Sequence, residues 1–305
     1  MLVVTRLLLV SVSLVAATKM CPSPSGFHPC DCIIEVESGS RAEEVAAENG
    51  DNFLRLYHAN GTVSDIPHCP HVKDAEAAPD MKDPCALGWP HAAPMEIFSR
   101  HNESIVEFSA EYVVPDAPST VASNILYYWI GLQDTTSSAN PVIQPVLSYY
   151  PGSSKNNWYF ESWNCCPAGH KIKSTSVSVS GPGAVLQGKM HRIGDMSIIT
   201  STNEVGNSST LIVSDSTIIH SWNWVDIALE TYAVADCAEY SQGGAMVFDK
   251  MTLTNAKGDA VTPAWTSAPY IDGAYLNRTL SQRFTSCCGG SFDYAHWPRA
   301  TMSQN

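Results

Sequence analysis

Positive charge is scarce in this chain. Its 305 residues carry 17 Lys and Arg against 30 Asp and Glu, a formal net charge of −13. No cluster of basic residues is present that could neutralise a phosphate backbone, which excludes nucleic acid as a partner. Beyond the first 18 residues no window reaches eighteen consecutive apolar residues, so no later segment reads as a membrane span. Long helical periodicity is also missing. No G-x-S-x-G occurs, which removes the strand–turn–helix nucleophile of a serine hydrolase. Histidine pairs with zinc-ligand spacing are lacking too. His68 and His71 flank Cys69 in a proline-bounded loop, where a disulfide is the simpler use of the cysteine. Neither a metal nor any other cofactor is expected.

The chain opens with MLVVTRLLLVSVSLVAATK: one arginine, a short apolar run, then small residues. This pattern is that of a secretory signal peptide over residues 1–18, too short to stay as an anchor. A secreted, extracellular protein without membrane attachment is the expectation. Ten cysteines agree with an oxidising compartment. Four N-x-S/T sequons, at Asn60, Asn102, Asn207 and Asn277, are candidate glycan acceptors in such a chain. An acidic composition also suits a protein that works in acid, where protonated carboxylates relieve self-repulsion.

Two textures divide what remains. Residues 19–105 hold half the cysteines and six of the ten histidines. Within them SRAEEVAAENGDNFLRLYH predicts a helix, with Ser40 as its cap and Glu43 three residues on. This stretch is read as a cysteine-rich N-terminal module or a propeptide. From residue 106 to 268 short β-rich segments alternate with turn residues, among them NILYYWIGLQ, PVIQPVLSYY, NNWYFESW, STSVSVS, AVLQGKMHRI and WVDIALETYAV. The regular succession predicts an all-β, antiparallel β-sandwich of jelly-roll, concanavalin-like type. A cysteine-containing tail at 269–305 is expected to pack on it. The neighbouring cysteines Cys165–Cys166 and Cys287–Cys288 are each expected to pair elsewhere.

Two polar side chains stand out because apolar residues surround them: Gln144 in VIQPVLSY and Glu230 in DIALETYAV. Strand alternation puts Asp226, Ala228 and Glu230 on one face, and Val142, Gln144 and Val146 on one face. Each face is either wet surface or the wall of a groove. Pro141 and Pro145 limit the ladder around Gln144, which suits an edge or a groove wall. Trp129, Trp158 and Trp163 are candidate groove aromatics or core, and Glu161 in WYFESW is the local rival acid.

The stretch from about Phe108 to Trp265 resembles the glutamic peptidases of the eqolisin type (peptidase family G1). The matching pieces are YYWIGLQ at 127–133, VIQPVLSY at 142–149, NNWYFESW at 156–163, DIALETYAV at 226–234 and AMVFDKMTLTNAKG at 245–258. The resemblance implies a β-sandwich acid endopeptidase without metal or covalent intermediate. It would act on polypeptides, as a monomer, with a catalytic glutamine and glutamate on neighbouring strands. Gln144 falls on the first position and Glu230 on the second. Neprosin-type peptidases, more distantly similar, use two glutamates on such a sandwich. Departures are Pro145 in the glutamine strand, only Gly131 after Trp129, and the CCPAGH turn. Two alternatives share these residues: a glycan-binding or glycan-cleaving sandwich using Glu161 and Glu230, and an inactive extracellular interaction protein.

Overall fold

A computed structural model describes residues 19–24, 26–46, 52–69, 89–120, 124–137, 141–151, 158–214, 221–234, 237–241, 245–267 and 290–304. The expected signal peptide over residues 1–18, His71, Cys85, Asn277, Cys287 and Cys288 lie outside them. In chain order the strands are β1 (Met20–Ser23), β2 (Gly26–Pro29), β3 (Ile33–Val36), β4 (Ser40–Ala46), β5 (Asn52–Tyr57), β6 (Val63–Pro67) and β7 (Trp89–Arg100). There follow β8 (Ile105–Val113), β9 (Ile125–Gln133), β10 (Val142–Tyr149), β11 (Trp158–Cys165), β12 (Lys171–Ser174), β13 (Val177–Ser178) and β14 (Val185–Ile193). The last are β15 (Met196–Thr202), β16 (Ser208–Ser214), β17 (Trp224–Val234), β18 (Met246–Asn255), β19 (Thr266–Ser267), β20 (Gly290–His296) and β21 (Arg299–Gln304).

The protein is an all-β sandwich. One sheet runs β19-β7-β17-β9-β10-β11-β12-β3, with β13 also paired to β11, and the other runs β20-β21-β18-β8-β14-β15-β16-β4-β5-β6. Pairing is antiparallel except where β3 joins β12 and β4 joins β16, both parallel. Those two joints attach the N-terminal strands to both layers. The β20–β21 hairpin extends the second sheet from β18.

The helix predicted from Ser40 does not form. Ser40–Ala46 and Asn52–Tyr57 are instead strands β4 and β5, paired from Arg41 with Tyr57 to Ala46 with Asn52. Their inward positions, Ala42, Leu54 and Leu56, are buried at every second residue, and the parallel bond to β16 overrides local helix propensity. STSVSVS contributes only Ser174 at the end of β12 and the two-residue β13.

The core fills the space between the layers. From the first sheet come Leu126, Tyr128, Ile130 and Leu132 of β9 with Trp158 and Phe160 of β11, and from the second Phe108, Tyr112, Met190 and Phe248. Full burial of such side chains contributes about 1.5–3 kcal/mol each. A second, smaller cluster lies on the opposite face of the first sheet: Tyr127, Trp129, Val146, Trp163, Ala228 and Tyr232.

Disulfides join Cys21 to Cys30 and Cys32 to Cys69, and Cys237 is also disulfide-bonded. Cys165 and Cys166 bridge each other, a correction to the expectation that each pairs elsewhere. The four described cysteines of the N-terminal segment are already paired among themselves. Among the described residues no helix is long and apolar enough to cross a membrane.

Candidate active site on the open face of the first sheet

Pro145 interrupts the ladder that positions Gln144. Between β9 and β10 pairing runs through Ile143 with Leu132 and resumes at Val146 with Trp129. A proline has no N–H to give at the gap. Tyr112, reaching across from β8 of the other sheet, closes it. Its hydroxyl accepts from the Ile130 N–H at 3.0 Å and donates to the Pro145 carbonyl at 2.8 Å. Burial holds the Tyr112 phenol well above its ordinary pKa, so the hydroxyl keeps the proton it donates. Gly188 makes room for this: a Cβ there would sit 2.7 Å from the Tyr112 ring and 2.8 Å from Pro145. The proline therefore leaves β10 in register with β11, where Gln144 is paired with Trp163.

Alternation then fixes the open face. Gln144, Val146 and Ser148 of β10 lie beside Trp163 and Glu161 of β11, Trp129 and Tyr127 of β9, and Asp226, Ala228 and Glu230 of β17. Gln144 is 1% and Glu230 6% exposed, so the face is covered and not a wet surface. Glu161 is its most heavily bonded member. Its Oε2 accepts from Ser148 Oγ and the Tyr150 hydroxyl, both at 3.2 Å, and from Trp163 Nε1 at 2.9 Å. Its Oε1 accepts from Lys173 Nζ at 3.0 Å, and Lys173 also pairs with Glu35 at 2.9 Å. Burial alone would lower the Lys173 ammonium, but the two carboxylates outweigh it and hold the pKa raised.

Tyr127 stands between the two glutamates. Burial raises its pKa far above the usual phenol range. A hydrogen bond from Tyr150 opposes this, and the nearby charges of Glu161 and Glu230 add to it. Both carboxyl groups thus face one hydroxyl.

Gln144 and Glu230 occupy the same face but not adjacent strands, a correction to the expected arrangement, because β9 runs between them. Glu230 is level with Tyr127, while Gln144 is four residues further along, level with Gly131. In a flat sheet that offset would be ~16 Å, from ~4.8 Å per strand and ~3.3 Å per residue. Tyr127 and Trp163 lie on a diagonal of the same offset and direction, one strand over, and their ring centroids are 6.4 Å apart. The two long aromatic side chains thus reach toward each other across that diagonal, over the face.

Between Gln144 and Asp226 lies Gly131, and the Trp129 indole folds over it. A Cβ at 131 would be 2.7 Å from that ring. Two buried polar atoms here have no hydrogen-bond partner among the described residues: Gln144 Oε1 and Trp129 Nε1. An acceptor and a donor in that condition are the equipment for holding a water or a polar ligand.

Of the predicted site residues, Glu230, Gln144, Glu161, Trp129 and Trp163 share this face. Trp158 does not. By alternation it points into the sandwich, 1% exposed, against Tyr128 and Tyr149, which corrects its assignment to the groove. Asn60, Asn102 and Asn207 are exposed, Asn60 within a turn that its own Oδ1 braces. Cys32, Cys69 and His170 place their ligand atoms within 4.8 Å of one another, but the sulfurs are joined in a disulfide and cannot act as thiolates. Sequence reading missed Tyr127, Ser148, Tyr150, Lys173 and Tyr232. Carrying the alternation from Trp129 along β9 would have found Tyr127.

No protein-family profile matches the chain, and no curated protein does. Among solved structures, scytalido-glutamic peptidase bound to a peptide-based transition-state analogue is similar over 72% of this chain and 100% of its own, at 13% identity and a TM-score of 0.49. SCP-B, a member of the eqolisin family of peptidases in complex with the tripeptide Ala-Ile-His, is similar over 72% and 100%, at 13% identity and 0.48. A Lotus tetragonolobus seed lectin is similar over 63% of this chain and 83% of its own, at 9% identity and 0.25. Likeness of this degree carries no function to the chain.

Proposed function

We propose that the protein is a secreted endopeptidase that works in acid, with Glu230 as the proton-transfer group and Gln144 as its hydrogen-bonding partner. The carrying observation is the buried Gln144 amide. Its Oε1 has no partner among the described residues, and it shares the open face with Glu230. The motif resemblance set out above supports the same pair.

In this reading Glu230, as carboxylate, takes a proton from a water whose oxygen attacks the scissile carbonyl. The Gln144 carbonyl orients that water, and its N–H donates to the tetrahedral oxygen as charge develops. Glu230 then returns the proton to the departing amine as the C–N bond breaks. Glu161, with four donors on its oxygens, positions Trp163, Tyr150 and Lys173 and leaves proton transfer to Glu230. Acid operation follows because one carboxyl must both hold and release the proton.

We further infer that residues 1–18 are removed on export, that Asn60, Asn102, Asn207 and Asn277 accept glycans, and that the chain acts as a monomer. Strands β3–β7 are hydrogen-bonded into the two sheets, so we place any removable propeptide ahead of Ile33, narrower than the whole of 19–105.

The test is cleavage of an unfolded protein from about pH 2 to 7 by the wild-type chain and by Glu230→Gln. Acid-limited cleavage that the variant loses, with unchanged folding, supports the reading; equal cleavage by both removes Glu230. One observation favours a second reading, namely that two carboxyl groups face Tyr127, as a glycosidase would require. The engagement of both Glu161 oxygens speaks against that. Release of reducing ends from a polysaccharide, without peptide cleavage, would establish it, and neither activity would leave an interaction protein.

A further inference from the structure

Three consecutive main-chain carbonyls of the N-terminal hairpin are held by side chains that rise from the open face. The Tyr127 hydroxyl donates to the Pro22 carbonyl at 3.4 Å, the Tyr232 hydroxyl to the Ser23 carbonyl at 2.6 Å, and Lys171 Nζ to the Pro24 carbonyl at 3.4 Å. The donors come from β9, β17 and β12, three different strands of the same sheet. Ser23 is fully buried and Lys171 only 4% exposed.

The hairpin itself, β1 with β2, is a separate two-stranded sheet closed by Cys21–Cys30. Its ladder continues into neither layer. It is attached to the open face through side-chain donors, and every one of the three bonds described goes to a carbonyl oxygen. Such bonds make no demand on the identity of the bound residue. Prolines at 22 and 24 hold this stretch of backbone to a narrow range of φ, so little chain entropy is lost in docking it. Lys171 Nζ also bonds to Cys165 Sγ at 2.9 Å, and each donor lost to the hairpin's departure while still buried would carry a desolvation cost. Whatever replaces the hairpin must supply carbonyls to the same three donors, and a polypeptide main chain that bends there as Pro22–Pro24 does, leaving a strand for a turn, can do so.

We propose that Tyr127, Tyr232 and Lys171 form a subsite that reads the main-chain carbonyls of a bound polypeptide, and that Pro22–Pro24 is its internal occupant, which lifts before a substrate binds. The biological sense of this subsite rests on the peptidase reading, but its occupancy can be measured without cleavage. The hairpin bonds to Tyr127, whose cross-strand neighbour on β17 is Glu230, so the segment that occupies the binding donors also lies beside the proposed proton-transfer residue.

The full chain carrying Glu230→Gln, so that no probe is consumed, is compared with the same chain carrying Cys21→Ser and Cys30→Ser. The probe is the fluorescein-labelled decapeptide Ala-Ser-Thr-Gln-Leu-Ala-Ser-Thr-Gln-Leu, followed by anisotropy. Opening the hairpin should tighten probe binding about tenfold, because the competent fraction rises. Adding Tyr232→Phe to the opened chain should weaken it about fivefold. In the unopened chain Tyr232→Phe should speed amide exchange over residues 20–30 while β9 and β10 stay protected, a readout independent of the cysteine variant. The proposal is overturned if a hairpin shown by exchange to be open binds the probe no more tightly, or if Tyr232→Phe changes neither exchange nor affinity. Probe binding that rises with opening, with no Glu230-dependent cleavage in any chain, keeps the subsite and removes the peptidase. Glu230-dependent cleavage with hairpin-insensitive binding does the reverse.

Discussion

The two faces of the first sheet are built from the same strands and have opposite chemistry. On β11, Trp158 and Phe160 point inward to an apolar core, while Glu161 and Trp163 point outward into a network of a lysine, two tyrosines and a serine. On β9 the inward residues are Leu126, Tyr128, Ile130 and Leu132, and the outward ones Tyr127 and Trp129. Both faces are buried, so burial alone does not separate structure from function here. The separating property is charge: Glu161, Lys173 and Glu230 stand on the outer face, and the inward residues named here carry none. Buried polar atoms without partners among the described residues occur on both, Gln144 Oε1 and Trp129 Nε1 on the open face and Trp158 Nε1 on the inner one.

The largest expected effects are a matched pair that should move different observables. Trp158→Ala empties the inner face of its largest side chain and should cost about 3–5 kcal/mol of stability, read as a lowered denaturant midpoint. Glu230→Gln changes one atom type on the outer face. It should lower peptide hydrolysis by about 10²–10⁴-fold, the usual contribution of a positioned acid–base group, and leave the midpoint near that of the wild type. If Glu230→Gln unfolds the chain as much as Trp158→Ala does, the contrast between the faces collapses.

Next in size is the charge held inside the outer network. Lys173→Met leaves Glu161 without its cation. Breaking a fully buried pair costs ~3–5 kcal/mol; since Lys173 is 18% exposed, we expect about 2–3 kcal/mol in a denaturant titration, with activity falling as Glu161 ceases to fix Trp163 and Tyr150. A loss within error would mean that solvent already screens the pair.

Tyr112→Phe probes the seam between the faces and should cost about 1–3 kcal/mol, the range for leaving buried polar partners unsatisfied. Here the Ile130 N–H and the Pro145 carbonyl both lose the hydroxyl. Because Gln144 precedes Pro145, kcat should fall while KM holds, whereas a purely structural role would lower the denaturant midpoint with kcat intact at a temperature where the variant is folded.

Alternation along single strands was legible from the outset. It is local and depends only on period two, so the β-rich succession, the face of Gln144 and the face of Glu230 could be read directly. Register between strands was not legible, because it depends on partners distant in the chain. The intervention of β9 between Gln144 and Glu230, and the reach of Tyr112 from the other sheet, are both of that kind. Ser40–Tyr57 failed for a related reason. Alanines, glutamates and a capping serine favour a helix locally, and it is the pairing of β4 with β16 and β5, and of β5 with β6, that makes the segment strands. Glu161 was visible as an acid in an aromatic segment, yet its four donors come from β10, β11, β12 and the residue after β10, a convergence that no spacing announces.

The smallest expected effect concerns acidity itself. The proposed chemistry on the open face calls for low pH, while a histidine close to its edge opposes it. His170 is 3% exposed, and its Nε2 lies 2.8 Å from the Pro67 carbonyl, to which the neutral ring donates. Burial lowers its pKa, hydrogen bonds to the Pro67 and Cys32 backbone act the other way, and His68 adds to the lowering. The unfolded chain, with an ordinary histidine near 6.5, therefore binds the proton first as pH falls. Its contribution to stability is complete above that value and is lost as pH drops toward the lower folded value. His101, also lowered by burial, acts in the same direction. Thermal melts between about pH 7 and 4 should show a decline that His170→Gln makes shallower, since the amide N–H can replace Nε2–H without titrating. An equal slope in the two chains would place the acid sensitivity elsewhere, and a steeper slope in the variant would mean that His170 gains a partner when protonated. In either case the tension between the acid chemistry of the face and the neutral histidine at its edge would be gone.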